Sequence, residues 1–164
     1  MDPAAHWPEW AVALQNSAPG LFIRHSTWIY PTANVLHVLG VGLFVGAIVA
    51  FDLRLLGFGR KWLSAEAASR LLTPLIVVGV LLIVPAGLTL FTADAGPLAA
   101  NRILQIKLAL AALGVVNGVL FRLYWSDHLR RWDRKPPPFG QAQALLSIVI
   151  WLTVPTLGRL IAYL

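Results

Sequence analysis

Four apolar stretches, each long enough to cross a bilayer, constrain this chain more than any other feature. A helical span needs about 20 consecutive apolar residues. Such stretches run from about 32 to 56, 72 to 91, 103 to 125 and 145 to 164, and occupy more than half of the 164 residues. Overall, 58% of the residues are apolar and 12% charged, the latter about half the share usual in soluble domains. A soluble domain of this size leaves much of its surface wet and cannot hide so much apolar area. A bilayer acting as solvent removes the conflict. The expected fold is all-α: an integral membrane four-helix bundle over residues 31–164, preceded by a short interfacial amphipathic helix within the N-terminal segment 1–30.

In that segment, residues 7–16 read WPEWAVALQN. Trp7, Trp10, Ala11 and Leu14 recur at helical spacing while Glu9, Gln15 and Asn16 lie elsewhere, the pattern of a helix lying in the membrane interface. Ser17 to Gly20 is expected to break it, and Trp28 and Tyr30 to anchor the chain at the interface as it enters the first span. Pro3, Pro8 and Pro19, without a basic stretch leading into a continuous apolar run, argue against a signal peptide. Pro74 is expected to open the second span, Pro85 to kink it, and Pro155 to lie inside the fourth. Prolines are tolerated there when neighbouring helices satisfy the freed carbonyls. The third loop, SDHLRRWDRKPPPFGQ, reads as polar, with a stiff extended tract at Pro136–Pro138.

The net charge of +6 falls on bases that flank spans, which points to an anionic membrane surface and not to nucleic acid. Nine lysines and arginines flank the first and third loops and four lie towards the other side. The positive-inside bias then places the basic loops in the cytoplasm and both termini outside, in the periplasm if the membrane is a bacterial inner membrane. The Arg130–Lys135 cluster reads as a site for anionic headgroups, with docking of a soluble partner as the alternative. The absence of Cys excludes disulfides, thiolate metal sites and thiol catalysis, and a single Met leaves no soft sulfur set for Cu(I). No phosphate loop, HExxH motif or nucleophile elbow is present, so nothing reads as an enzyme on its own. A cytochrome-like role would need none of these motifs.

Ionisable residues inside spans are costly and therefore candidate functional groups. His37 lies little more than a turn into span one, with Asn34 three residues earlier. Lys107 lies at similar depth in span three, on the face of Ala111, Gly114 and Gly118. Thr89, Asn101, Arg102, Thr153, Thr156 and Arg159 fall in the same layer. One reading is a cationic pocket: His37 ligates haem b iron or hydrogen-bonds a quinone, and Lys107, Asn34, Asn101 and Arg102 help hold the ligand. The other is an interhelical hydrogen bond from His37 with Lys107 snorkelling to the interface. A bis-histidine haem lacks a second His at matching depth; His6 and His25 lie in the N-terminal segment and His128 on the opposite side. Asp52 and Arg54 read as an ion pair or cap closing span one, aided by Arg60 or Arg122, or as a proton relay. Asn117 reads as a helix–helix hydrogen bond. Gly42-xxx-Gly46, with Ala50 following, and Gly114-xxx-Gly118 are candidate close-packing faces between helices, between copies of the chain or with other membrane subunits.

The strings Trp28-Ile-Tyr-Pro31, His37-Val-Leu-Gly40 and Asp52-Leu-Arg-Leu-Leu-Gly57, continued by Phe91, Asn101, Lys107 and Asn117-xxx-Phe121, resemble a family of small bacterial inner-membrane proteins with no assigned activity. The resemblance spans nearly the whole chain. It implies a four-helix bacterial membrane protein and marks His37, Asp52, Arg54, Asn101 and Lys107 as the family's polar positions. Some members have His after that Phe; here the residue is Arg122, which leaves a haem scheme needing that His without its ligand. Three classes of function stay open: an accessory or redox subunit holding haem b or quinone, a structural anchor or assembly subunit, and an oligomeric pathway for small solutes or protons.

Overall fold

A computed structural model describes residues 7–161. It contains seven α-helices: α1 (Glu9–Gln15), α2 (Ala18–His25), α3 (Ile29–Leu55), α4 (Ala65–Ala93), α5 (Ala95–Ala100), α6 (Arg102–Trp125) and α7 (Pro138–Leu160). No strand occurs among the described residues. The four long helices α3, α4, α6 and α7 are each long and apolar enough to cross a membrane. At 1.5 Å per residue, α3 alone reaches about 40 Å. Much of their surface is exposed and apolar, as at Leu81, Val38 and Leu123, and such a surface calls for lipid around it.

The span boundaries widen relative to expectation. The second helix begins at Ala65, capped by the Ser64 side chain on the Ala67 N–H, and runs unbroken through Pro74 and Pro85. The fourth begins at Pro138, so the triple-proline tract is extended only up to Pro137 and then starts a helix. Proline suits that first position because its missing N–H would be unbonded anyway. The expected break at Ser17–Gly20 is instead a restart: Ser17 caps α2, whose first turn contains Pro19 and Gly20.

The long helices alternate in direction. α3 packs on α4 and α7, and α7 packs on α6, whereas α4 and α6 make no close backbone approach. Where α3 crosses α4, glycine is required: a Cβ on Gly79 would sit 2.7 Å from Phe44, and one on Gly40 2.8 Å from Leu82. Gly114 performs the same service between α6 and α7, where a Cβ would lie 2.7 Å from Trp151. Gly42, Gly46 and Gly118 meet nothing within 4 Å. The small-residue faces expected to bring helices together within the bundle are therefore largely turned outward, and Gly114 is the member that makes contact.

The bundle has two unlike ends. One, the terminal end, gathers the start of α3, the end of α4, the start of α6 and the end of α7. There α1 packs against α5 and α4, and the Gln15 side-chain oxygen accepts the Gly96 N–H at 2.8 Å. Gln15, placed on the polar side of the amphipathic pattern, thus helps tie α1 down, together with Trp10 stacked on Phe91 and the buried Ala11. The other, the basic end, carries the first and third loops. Its third loop is not a polar outer connection: Trp132 and Leu129 enter a core with Phe51, Leu55, Ala65, Ala68, Phe121 and Ala144. The Trp132 indole N–H donates to the Leu55 carbonyl at 2.9 Å, and its ring occupies the space a Cβ on Gly140 would need.

The Asp52-Leu-Arg-Leu-Leu-Gly57 string now has a physical account. Gly57 adopts φ +107°, and its N–H bonds the Arg54 carbonyl while that of Phe58 bonds the Leu53 carbonyl. This pair of bonds is the Schellman stop, which favours glycine at the left-handed position. Leu55 is buried beneath it.

Candidate functional site

The polar groups inside the bundle form two separate sites. At the terminal end, each long helix contributes one element. His37 of α3 lies against α4, its Nδ1 3.1 Å from the Ile83 carbonyl oxygen. A carbonyl only accepts, so Nδ1 carries the proton of this bond, and Nε2 of the neutral ring keeps a free lone pair. The ring fits because residue 87 is glycine; a Cβ there would be 3.1 Å from His37 Cε1. Lys107 of α6 points into the bundle and not out to the interface, with its Nζ where a Cβ on Gly158 of α7 would come within 3.1 Å. The ion pairs among the described residues do not include Lys107.

Other groups expected in this layer are engaged locally. Asn101 caps α6, its side-chain oxygen accepting the N–H groups of Ile103 and Leu104 at 2.9 and 3.1 Å. Thr89, Thr153 and Thr156 each donate to the carbonyl four residues back in their own helix. Arg102 and Asn34 are exposed. The structure thus brings together His37 and Lys107 from the proposed ligand set, and leaves Asn34, Asn101 and Arg102 apart. At the same end a groove of about 370 Å³ opens between α3 and α4, lined by Trp28, Thr32, Leu36, Pro85 and Thr89 with Ala33 and Ala86 among its walls; neither His37 nor Lys107 lines it. Ala33 is one turn before His37, and Ala86 adjoins Gly87.

The edge of the His37 ring that carries Nδ1 and Cε1 lies against the α4 backbone at Gly87, which leaves Nε2 as the ring's ligating atom. His25 ends α2 and is exposed, and His128 lies in a 3-10 turn at the basic end. No group of three or more potential metal ligands occurs among the described residues. His6 falls outside the described residues.

The second site is at the basic end. Arg54, 5% exposed, pairs with Asp133 of the third loop, and its Nε–H donates to the Leu63 carbonyl. The other Asp133 oxygen accepts the Ala65 N–H at 3.1 Å, which fixes the start of α4. The ion pair expected at this helix end exists, but the partner is Asp133 and neither Asp52 nor the neighbouring bases. Asp52, 6% exposed, lies beside Ser147 of α7, and its Oδ2 has no partner among the described residues. Asn117 donates to the Gln143 carbonyl at 3.1 Å, the interhelical bond expected of it.

About 22 Å of helix separates His37 from Asp52. The bundle between them is filled by Phe44 and Trp151, both buried, with ring centroids 4.6 Å apart and edge to face. Among the described residues, no ion pair joins the two polar sites. Sequence reasoning missed Trp132 and Asp133; the available signal was the apolar pair Leu129 and Trp132, three residues apart in an otherwise charged loop.

No family model, curated protein or solved structure matches the chain.

Proposed function

We propose that this multi-pass membrane protein is an accessory subunit that holds a quinone-type ligand in the layer built by His37 and Lys107. The observation that carries the reading is the tether from His37 Nδ1 to the Ile83 carbonyl, with the Lys107 side chain turned into the same end of the bundle against Gly158. The imidazole presents an acceptor lone pair and the ammonium a donor. A quinol hydroxyl can donate to the imidazole nitrogen, and the ammonium can donate to an oxygen of either the quinol or the quinone, so the quinol form is the one complementary to both groups. The apolar groove beside Ala33 and Ala86 suits the isoprenoid tail of such a ligand entering from the bilayer. The filled centre at Phe44 and Trp151 disfavours a solute or proton pathway through a single copy. The resemblance to bacterial inner-membrane proteins and the nine-to-four distribution of bases support a bacterial inner membrane with the basic loops in the cytoplasm.

The test is extraction of protein purified in mild detergent, with quantification of quinones by mass spectrometry. Stoichiometric quinone, lost on His37→Ala and on Lys107→Gln, is the expected result. Quinone-free protein that also fails to take up added quinone would leave a structural anchor as the better reading.

A further inference from the structure

The seam between α4 and α6 is the one side of the bundle where adjacent long helices do not approach through their backbones. At the basic end it is spanned by Arg122 of α6. Its Nη1 donates to Ser69 Oγ at 3.0 Å and its Nη2 to Thr73 Oγ1, both on α4. The guanidinium also lies over the Phe51 ring, 5.8 Å from the centroid. None of these partners is charged. The ion pairs among the described residues join Arg54 to Asp133, and Arg70 and Arg130 to Glu66. Arg122 is therefore held in place without being neutralised. Two of its five N–H groups are used, and three remain for an acceptor.

Those groups border a groove of about 500 Å³ whose lining includes Ser69, Arg70, Arg122, Ser126 and Arg130. Two carboxylates, Glu66 and Asp127, also line it. Three arginines against two carboxylates leave the lining with one net positive charge; Arg70 and Arg130 both engage Glu66, and Arg122 is the arginine whose bonded partners are neutral. Three arginines, one of them fixed in a fork by two hydroxyls, form a phosphate-binding arrangement. Its depth indicates the source of the phosphate. Arg122 precedes Trp125, the last residue of α6, and a tryptophan at a span end marks the headgroup level.

We propose that this groove binds the phosphodiester of an anionic phospholipid, with Arg122 as the principal contact and the acyl chains running along the open α4–α6 seam. The site shares Arg130 with the exposed basic run of the third loop and differs from it in the fixed guanidinium of Arg122.

The test is native mass spectrometry of the full chain in detergent, titrated separately with phosphatidylglycerol, phosphatidylcholine and inorganic phosphate. Phosphatidylglycerol is expected to be retained in preference to phosphatidylcholine. Its retention should weaken about tenfold in Arg122→Gln, less in Arg70→Gln, and little in Arg134→Gln, which lies outside the groove. Arg70 is 75% exposed, so its variant is expected to fold even if the Arg122 variant does not. Equal retention of the two lipids, or an Arg134→Gln loss matching that of Arg70→Gln, overturns the proposal. Displacement of phosphatidylglycerol by inorganic phosphate at comparable concentration would assign the groove to a soluble anion and overturn it as well.

Discussion

The two ends of the bundle are built on different principles. At the basic end, connecting segments fold inward. Trp132 and Leu129 pack on Phe51, Leu55 and Phe121, a salt bridge ties the third loop to α3, and Asp133 fixes the start of α4. At the terminal end, His37 of α3 bonds a carbonyl of α4, and Tyr30 of α3 meets Asp94 at the end of α4. There a cation and a ring nitrogen are left with bonding capacity to spare. The contrast teaches where stability and binding reside: the basic end holds the helices together, and the terminal end keeps polar groups available. A ligand site needs unsatisfied groups, whereas a well-packed core tolerates few.

Substitutions can break or sharpen that contrast. The largest effect is expected from Trp132→Ala, which removes a buried ring and orphans the Leu55 carbonyl. It should cost about 4 kcal/mol in a reversible unfolding titration. Arg54→Ala should cost about 3 kcal/mol by leaving Asp133 without its cation. Asp52→Asn, two residues away, should change stability by less than about 1 kcal/mol, because no ion pair is lost. A reversal of these two results would mean that Asp52 and not Asp133 anchors the helix end.

Next in size is Gly114→Leu, which must displace Trp151 and should cost about 1–3 kcal/mol. Gly118→Leu, with open space around it, should stay within about 0.5 kcal/mol. Equal costs would show that the outward glycines are covered in the membrane. The smallest stability change is expected at the terminal end. His37→Ala should cost about 0.6 kcal/mol, the usual worth of a hydrogen bond between membrane helices. A loss as large as that of Trp132→Ala would make His37 a structural residue and erase the distinction between the ends.

Much of the fold was legible in advance because a membrane span is a local property. Twenty apolar residues must be helical in lipid whatever their neighbours do, and all four spans appear with their expected order. The ends were less legible. The third loop reads as polar by composition, yet Trp132 turns it into part of the core, since burying one indole outweighs several solvated charges around it. The candidate site was half legible. His37 and Lys107 stand out because ionisable groups in spans are rare. Asn101 also stood out, but at a helix start its oxygen caps backbone N–H groups, and the sequence offers no way to separate a capping amide from a ligand-binding one.

By itself, then, the sequence determined the class of protein, the number of spans and the positions where charge enters the bundle. These follow from the cost of exposing a polar backbone or a charge to hydrocarbon, which is paid residue by residue. Only the tertiary structure decided which glycines lie between helices, that Arg54 meets Asp133 across 79 positions of chain, and that α4 and α6 are bridged by Arg122. Such pairings depend on which helix faces meet, and the apolar pattern of a membrane helix carries little record of that. Lipid and protein interior are equally greasy, so all sides of a span look alike in composition.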